Sequence, residues 1–248
     1  MSQNVIIFDT TLRDGLQSPN INPVSHADRV AFGLLLNDMG VDVIEAGFAI
    51  ASELDFNTIA TLAQKGLDST VCSLARSNEK DIDSAGQALK GARRGRIHTF
   101  ISTSPLHMEH KLRMSPEAVL DAGVAAVKHA RKYTDDVQFS LEDFTRTEHD
   151  FAQRVAVIDA GATTINLPDT VGYSTPQEIT NLTEIAMSVP NADKAIFSMH
   201  CHNDLGLAVA NSLCGLGAGA RQLECTINGL GERAGNAAME ELVMAMHV

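Results

Sequence analysis

Two histidines separated by a single residue are the strongest chemical signal in the sequence. His200 and His202 lie within a run rich in apolar residues, and alternate side chains of a strand point to the same face. Two imidazoles on one face make half of a metal site. The alternative is a pair of histidines hydrogen-bonded within a polar cluster, which is the more common outcome for an isolated His-x-His pattern. The position of the pair in the fold has to decide between the two.

The elements that must position these histidines alternate between short apolar runs and amphipathic stretches. Runs rich in β-branched residues predict eight strands, over residues 5–11, 41–48, 69–75, 96–103, 137–142, 163–168, 195–202 and 222–228. Helix-start signals lie between them, at Ser25, Ser115 and Thr175. Eight strand–helix units in 248 residues predict a single (β/α)8 TIM barrel over residues 1–248. A doubly wound open sheet is the rival fold, but no glycine-rich phosphate loop follows the first strand.

Barrel geometry favours the metal interpretation of the histidine pair. Chemistry in such barrels lies at the carboxyl ends of the strands, and the eighth strand closes between the seventh and the first. Asp14 and Asn236 therefore approach His200 and His202 from adjacent strands. One carboxylate, two imidazoles and an amide carbonyl suit Mg²⁺ or Mn²⁺, with Zn²⁺ or Co²⁺ as further candidates. The absence of thiolate ligands argues against a closed structural zinc site.

Three other residues at the same ends of strands each have two interpretations. Arg13 either stabilises a developing oxyanion beside the metal or forms a salt bridge to Glu45 or Glu142. Glu142 either supplies a catalytic base or is a paired structural carboxylate. Thr170 either binds a substrate carboxylate or caps the following turn. The residue types alone leave these alternatives open.

The composition excludes several classes of protein. The chain carries 19 Lys and Arg against 31 Asp and Glu, a net charge of −12, which argues against binding nucleic acid or an anionic membrane surface. The sequence shows no signal peptide and no run approaching the ~18 apolar residues of a membrane span. Its four cysteines form no Cys-x-x-Cys pair. We therefore expect reduced thiols and a cytoplasmic location.

Five motifs resemble those of the catalytic barrel of 2-isopropylmalate synthases, in order and over essentially the whole chain. They are FDTTLRDG at 8–15, IHTFISTSP at 97–105, LPDTVGY at 167–173, HCHNDLG at 200–206 and NGLGERAGN at 228–236. Those synthases belong to a superfamily of metal-dependent barrels with homocitrate synthase, citramalate synthase and hydroxymethylglutaryl-CoA lyase. The segment 107–114 is similar to the isopropylmalate branch of that superfamily.

The resemblance implies a reaction and a set of site residues. The implied reaction condenses acetyl-CoA with a 2-oxo acid in leucine biosynthesis, with 2-oxoisovalerate as the first candidate. The implied assembly is a homodimer or higher homo-oligomer. The implied residues are the metal ligands Asp14, His200, His202 and Asn236, the catalytic residues Arg13 and Glu142, and the substrate-binding residues His98, Thr170 and Gln17.

The sequence departs from that pattern in ways that keep other functions open. Leu16 stands where the synthases usually carry glutamate, and Leu141 and Phe144 are bulkier residues that we expect near the oxo-acid pocket. The resemblance leaves no residues for the C-terminal subdomains and the leucine-sensing domain, so we expect impaired synthase activity. One alternative is a hydroxymethylglutaryl-CoA lyase, which Leu16 favours and the lack of cysteine in 229–236 opposes. Another is a metal-binding scaffold without catalysis.

Overall fold

Eight parallel strands close into a barrel in sequence order. The computed structural model describes residues 4–19, 21–154 and 157–248. The last strand pairs with both the seventh and the first, so the sheet has no free edge. The strands are β1 (Ile6–Asp9), β2 (Val43–Phe48), β3 (Thr70–Arg76), β4 (Gly95–Ser102), β5 (Asp136–Glu142), β6 (Thr164–Asp169), β7 (Ile196–Cys201) and β8 (Gln222–Cys225). The predicted (β/α)8 TIM barrel is confirmed.

Helices follow each strand and cover the outside of the barrel. They are α1 (His26–Asp38), α2 (Glu53–Ala63), α3 (Glu79–Ala88), α4 (Pro105–His107), α5 (Pro116–Ala130), α6 (His149–Arg154), α7 (Pro176–Met187), α8 (Ala208–Gly217) and α9 (Met239–His247). The side chains of Ser25, Ser115 and Thr175 each accept a hydrogen bond from a backbone N–H of the first turn, as the sequence predicts. Among the described residues, no helix has both the length and the apolar character that crossing a membrane requires.

The eighth strand is shorter than predicted. Residues 226–228 continue its β-branched pattern but leave the sheet, because the Ile227 N–H bonds to the Thr11 hydroxyl and the Thr226 hydroxyl to the Leu230 carbonyl. Asn228 then adopts a left-handed conformation with φ of 56°. This early turn starts the loop that returns to His202, which forms an isolated β-bridge with Asn236.

Apolar packing between the strands and the helices forms the main core of the molecule. Leu141 and Phe144 are both buried in this core, and neither lines the cavity at the mouth of the barrel. The expectation that these bulkier residues lie near the oxo-acid pocket is therefore wrong for their side chains, which pack in the core and away from the cavity. Alternate residues of a strand face opposite sides of the sheet, so Ser140 and Glu142 face the barrel while Leu141 packs outward. Leu16 also packs against the core.

The buried carboxyl of Asp9, at the end of β1, leads us to expect an unusual dependence of stability on pH. Burial raises the pKa of its carboxyl from 3.8 to about 7. The folded state therefore binds this proton more tightly than the unfolded state, so its stabilising contribution is complete below pH 4 and is lost as the pH rises through 7. We expect the free energy of unfolding of wild type, relative to Asp9→Asn, to fall by roughly 3 kcal/mol between pH 5 and pH 8, at 1.36 kcal/mol per pKa unit.

Urea melts of both proteins at several pH values measure this difference. The asparagine side chain of the variant retains an oxygen to accept the Thr11 N–H, which the Asp9 carboxyl accepts at 2.9 Å. A difference between the two proteins that does not change from pH 5 to pH 8 would show that Asp9 titrates normally in the folded state.

Candidate metal and substrate site

The predicted site residues meet at the carboxyl ends of the strands, around a cavity of about 290 Å³. Those lining it are Arg13, Asp14, Gln17, His98, Glu142, Thr170, His200 and His202. Asn236 lies behind the wall beside His202, brought there by the loop after β8. Topology accounts for this convergence, because the closed sheet brings residues that are far apart in sequence to one rim.

Asp14, His200 and His202 form a buried cluster in which one ligand atom from each residue lies within 4.8 Å of the others. His200 Nε2 and His202 Nε2 are 2.9 Å apart, and the Asp14 Oδ2 atom lies 3.4 Å from the first and 3.7 Å from the second. Cys201 faces away into the core. The alternation that the sequence predicts for this strand is therefore confirmed.

Two of the predicted ligand residues each carry a buried oxygen without a donor among the described residues. Asp14 Oδ1 and Asn236 Oδ1 are shielded from solvent and find no hydrogen-bond partner among the described residues. An unsatisfied buried acceptor costs about 1–3 kcal/mol, and more when it is charged. A divalent cation coordinates such oxygens together with imidazole nitrogens. The donor set therefore fits the metal that the sequence predicts.

The hydrogen bonds of the two imidazoles fix their tautomers. His200 Nδ1 lies 2.9 Å from the Glu224 carboxylate, so this nitrogen carries a proton, and in the neutral imidazole His200 Nε2 offers its lone pair to the cluster. His202 Nδ1 lies 2.7 Å from Arg233 Nη2, and arginine only donates. His202 therefore offers Nε2 to a metal only when Arg233 gives up this bond and keeps its bonds to Asp204.

The charges around the cluster favour an ionised aspartate. Burial by itself raises the pKa of Asp14, but the Arg13 guanidinium and the two histidines outweigh burial and hold this pKa well below 3.8. Burial lowers the pKa of His202, and the neighbouring His200 lowers it further. Asp14 is therefore a carboxylate at neutral pH, and His202 is a neutral imidazole.

Arg13 is held by two carboxylates. Its Nε donates to Glu45 at 2.6 Å, and its Nη1 donates to Asp14 at 3.0 Å. The Thr10 hydroxyl donates to the same Glu45 oxygen, also at 2.6 Å. The salt bridge that the sequence offered as the structural interpretation of Arg13 is thus present, and it fixes the guanidinium at the wall of the cavity. A group held in this way is preorganised to stabilise developing negative charge.

His98 lines the cavity with both ring nitrogens already engaged. Nδ1 lies 2.6 Å from Glu45 Oε1, and Nε2 lies 2.6 Å from the Ser140 hydroxyl. Ser140 also accepts a hydrogen bond from the Asn166 amide. His98 therefore presents its ring edge to the cavity and orients the residues on either side.

Glu142 and Thr170 also line the cavity. The Glu142 carboxylate lies 2.6 Å from Lys111 Nζ and accepts the Ser102 hydroxyl at 2.6 Å. The Thr170 hydroxyl accepts the backbone N–H of Asp143, which leaves its own hydrogen to donate. The Glu142 side chain is paired and also faces the cavity, so both interpretations of this residue stay open. The Thr170 hydroxyl bonds to Asp143, whereas the following turn is capped by the Asp169 carboxylate, which accepts the Ser174 N–H at 3.2 Å. This geometry does not support the capping interpretation of Thr170.

Sequence reasoning missed three residues that position this site: Glu224, Arg233 and Lys111. Glu224 faces inward from β8 directly opposite His200. Its signal is readable in the sequence, because Gln222 and Glu224 alternate with apolar residues in a strand of a barrel. The contacts of Arg233 and Lys111 depend on the paths of loops, and no spacing rule indicates them.

Gly235 makes the position of Asn236 possible. Gly235 has φ of 99°, and a Cβ there would overlap the carbonyl oxygen of Gly229, which accepts the Asn236 N–H at 2.9 Å. We expect Gly235→Ala to displace Asn236 and to weaken Mn²⁺ binding at least tenfold. Gly91→Ala is the matched control, because Gly91 has φ of 94° with nothing near its Cβ position. Backbone strain costs either variant about 1–3 kcal/mol.

Urea melts of both glycine variants measure the loss of stability that backbone strain causes. Calorimetric titration with Mn²⁺ measures the loss of metal affinity that displacement of Asn236 causes. Equal Mn²⁺ affinity in the two variants would mean that the loop position does not matter for the metal.

Comparisons with known proteins agree with this geometry. The sequence pattern of the HMGL-like family matches residues 4–248. A 2-isopropylmalate synthase of Methylococcus capsulatus is 59% identical over 249 aligned residues, which cover 99% of this chain and 48% of the relative. A 2-isopropylmalate synthase of Chromobacterium violaceum is 58% identical, with 99% and 48% covered. The chain thus spans about half the length of these relatives.

Solved structures share the fold at lower identity. A hydroxymethylglutaryl-CoA lyase from Bacillus subtilis superposes with a TM-score of 0.82 at 20% identity, covering 99% of this chain and 86% of the lyase. The lyase from Pseudomonas aeruginosa gives the same TM-score at 22% identity, with 99% and 85% covered. At this identity the likeness concerns the fold alone. The family match over residues 4–248, together with the closed barrel, shows that the chain belongs to the HMGL-like family.

Proposed function

We propose that this barrel catalyses the condensation of acetyl-CoA with a 2-oxo acid, as the catalytic part of a 2-isopropylmalate synthase in leucine biosynthesis. The observation that carries the proposal is the buried cluster of Asp14, His200 and His202 on a substrate-sized cavity, in which Asp14 Oδ1 has no hydrogen-bond partner among the described residues. Asn236, which is bridged to His202, also has a buried oxygen without such a partner. The names of the relatives at 56–59% identity support the same activity. 2-Oxoisovalerate is the first candidate for the oxo acid.

A divalent cation is held by Asp14, His200, His202 and Asn236 in this proposal. Mg²⁺ or Mn²⁺ is the first candidate, and Zn²⁺ or Co²⁺ suits the same mixture of nitrogen and oxygen ligands. When bound, the ion supplies Lewis acidity that makes the keto carbon of the substrate more electrophilic.

Different residues of the cavity wall bind the polar and the apolar end of a 2-oxo acid in this proposal. Thr170 and Gln17 offer hydrogen-bonding groups for the carboxylate of the acid. Phe48, Leu74 and Phe100 form an apolar surface for its hydrocarbon side chain. A methyl or methylene contact in such a pocket is worth about 1–3 kcal/mol, so this surface selects the length of the side chain.

Glu142 is the proposed base, and Arg13 is the proposed group that stabilises developing negative charge. Glu142 takes a proton from the methyl group of acetyl-CoA, and the resulting enolate attacks the keto carbon to form the new carbon–carbon bond. The keto oxygen becomes an alkoxide, and the Arg13 guanidinium stabilises the charge that develops on it. The proton held by Glu142 passes to the alkoxide, which becomes the hydroxyl of the product. Water then attacks the thioester carbonyl; one of its protons leaves with CoA as the free thiol, and the new carboxylic acid loses the other. The Lys111 ammonium lies 2.6 Å from Glu142 and orients this carboxylate.

The remaining features of the proposal concern the whole protein. We propose a homodimer or higher homo-oligomer in the cytoplasm, with residues 1–248 acting as one catalytic barrel. Acetyl-CoA and the 2-oxo acid are its proposed small-molecule partners, and the net charge of −12 disfavours nucleic acid and anionic membranes as partners.

Release of free thiol tests the proposed reaction. The protein is incubated with Mn²⁺ or Mg²⁺, acetyl-CoA and a series of 2-oxo acids of increasing side-chain length. We expect thiol release that requires both the ion and an oxo acid, with a maximum at 2-oxoisovalerate. Cleavage of hydroxymethylglutaryl-CoA without any such release would favour the lyase alternative. Metal binding without turnover of either kind would favour the scaffold alternative.

A further inference from the structure

A buried layer of polar side chains lies in the barrel beneath the candidate metal site. TIM barrels usually fill this space with bulky apolar residues. Here the interior at this level holds Arg96, Gln138, Ser198, Gln222 and Glu224, all buried. Burying so many polar groups is costly unless every donor meets an acceptor, so the pattern of hydrogen bonds in this layer is informative.

Because the Arg96 guanidinium can only donate, it determines which atom is donor and which is acceptor in the other hydrogen bonds of the layer. A guanidinium only donates, and Arg96 Nη1 lies 3.1 Å from Gln138 Oε1 and 2.7 Å from Gln222 Oε1. The oxygen of Gln138 therefore faces Arg96, and the Gln222 amide N–H donates to the same oxygen at 2.8 Å. The amide nitrogen of Gln138 must then point the other way.

That nitrogen meets Glu224, whose carboxylate has two roles. Gln138 Nε2 donates to Glu224 Oε1 at 2.6 Å. The second oxygen, Oε2, lies 2.9 Å from His200 Nδ1. A carboxylate only accepts, so His200 carries a proton on Nδ1, and in the neutral imidazole the Nε2 lone pair faces Asp14 and the cavity.

We infer that Glu224 is the positioning residue of the metal site, and that Arg96 and Gln138 fix its direction. Through this layer, Glu224 holds His200 in the one tautomer and ring orientation that can bind a cation. The inference rests on the proposed metal site. Outer-sphere carboxylates that orient a ligating histidine typically contribute 10–100-fold to metal affinity.

Glu224→Gln separates this role from simple packing, because the two side chains have nearly the same shape. An amide at 224 must place its N–H either against the Gln138 N–H or against His200 Nδ1. The second arrangement forces the His200 proton onto Nε2, the ligand atom. We expect the tautomer of His200 to move towards Nε2–H in the metal-free protein, and Mn²⁺ affinity to fall 10–100-fold.

The exchange variant Gln138→Glu/Glu224→Gln is the sharper test. It preserves composition and charge, and every hydrogen bond can form again: the new carboxylate accepts from Arg96 and Gln222, while the new amide donates to it and accepts from His200. We expect the Nδ1–H tautomer to return and much of the Mn²⁺ affinity to recover. Ser198→Ala is the control, because it removes a hydrogen bond of Gln222 in the same layer and leaves Glu224 untouched.

Nitrogen-15 NMR of the histidine rings in the metal-free protein measures the tautomers, and calorimetric titration measures Mn²⁺ affinity. An unchanged tautomer and unchanged affinity in Glu224→Gln would overturn the inference, as would an equal loss of affinity in Ser198→Ala. Failure of wild type to bind Mn²⁺ would contradict the proposed metal site. The tautomers would still report whether Glu224 positions His200, so the two failures are distinguishable.

Discussion

Asp14→Asn is expected to lower Mn²⁺ affinity more than about 100-fold, beyond the 10–100-fold that loss of an outer-sphere partner costs. The substitution keeps the shape of the side chain but removes the only carboxylate among the four proposed ligands. It also removes one of the two negative partners of Arg13, whose Nη1 lies 3.0 Å from Asp14 and whose Nε still donates to Glu45. Calorimetric titration with Mn²⁺ measures the change, and we expect metal-dependent thiol release to disappear with it.

Asp9→Asn is the matched control for Asp14→Asn. Asp9 is also a fully buried carboxyl belonging to β1, and it lies outside the cavity. We expect Asp9→Asn to bind Mn²⁺ with wild-type affinity. If Asp14→Asn also retains wild-type affinity, the proposed ligand set is wrong.

Arg13→Lys is expected to reduce kcat about 100–1000-fold, the usual cost of losing one preorganised donor to a developing oxyanion. The variant retains a positive charge, but a single ammonium cannot reproduce the fork that donates to Glu45 and Asp14 together. Because the alkoxide forms only during bond formation, we expect KM for the oxo acid to change much less than kcat. Steady-state thiol release with acetyl-CoA and 2-oxoisovalerate separates the two parameters.

Arg29→Lys serves as the control for this arginine. Arg29 has a similarly buried side chain and pairs with Asp55 at 2.8 Å, away from the cavity. We expect its kcat to stay near that of wild type. Should Arg13→Lys raise KM without lowering kcat, Arg13 would contribute to ground-state binding instead of oxyanion stabilisation.

The sequence was sufficient to predict the architecture because local patterns determine it. Most strands are short runs that contain β-branched residues, several helices begin at a capping residue, and their alternation allows few topologies. Closure of the sheet then predicts which strand ends meet, which is how Asp14 and Asn236 were assigned to the same rim as the histidine pair. The structure brings Asp14, His200 and His202 together and bridges the backbone of Asn236 to His202. Their role as ligands stays a proposal.

The contacts that organise the site were beyond prediction, because they depend on tertiary geometry. Nothing in the spacing of His98 indicates that Glu45 and Ser140 engage both of its nitrogens. The error over Leu141 and Phe144 has a simpler cause. A strand that contributes Glu142 to the cavity must direct Leu141 to the opposite face, so the alternation of the strand could have excluded Leu141 from the pocket.

Electron paramagnetic resonance of bound Mn²⁺ tests the central claim most directly, because it detects both binding of the ion and coordination of substrate oxygens to it. The protein is titrated with Mn²⁺ in the presence of 2-oxoisovalerate labelled with oxygen-17 at its keto group and carboxylate. We predict one bound ion per chain and line broadening from the labelled oxygens, with no binding by Asp14→Asn. Bound Mn²⁺ whose spectrum is the same with labelled and unlabelled acid would contradict the account.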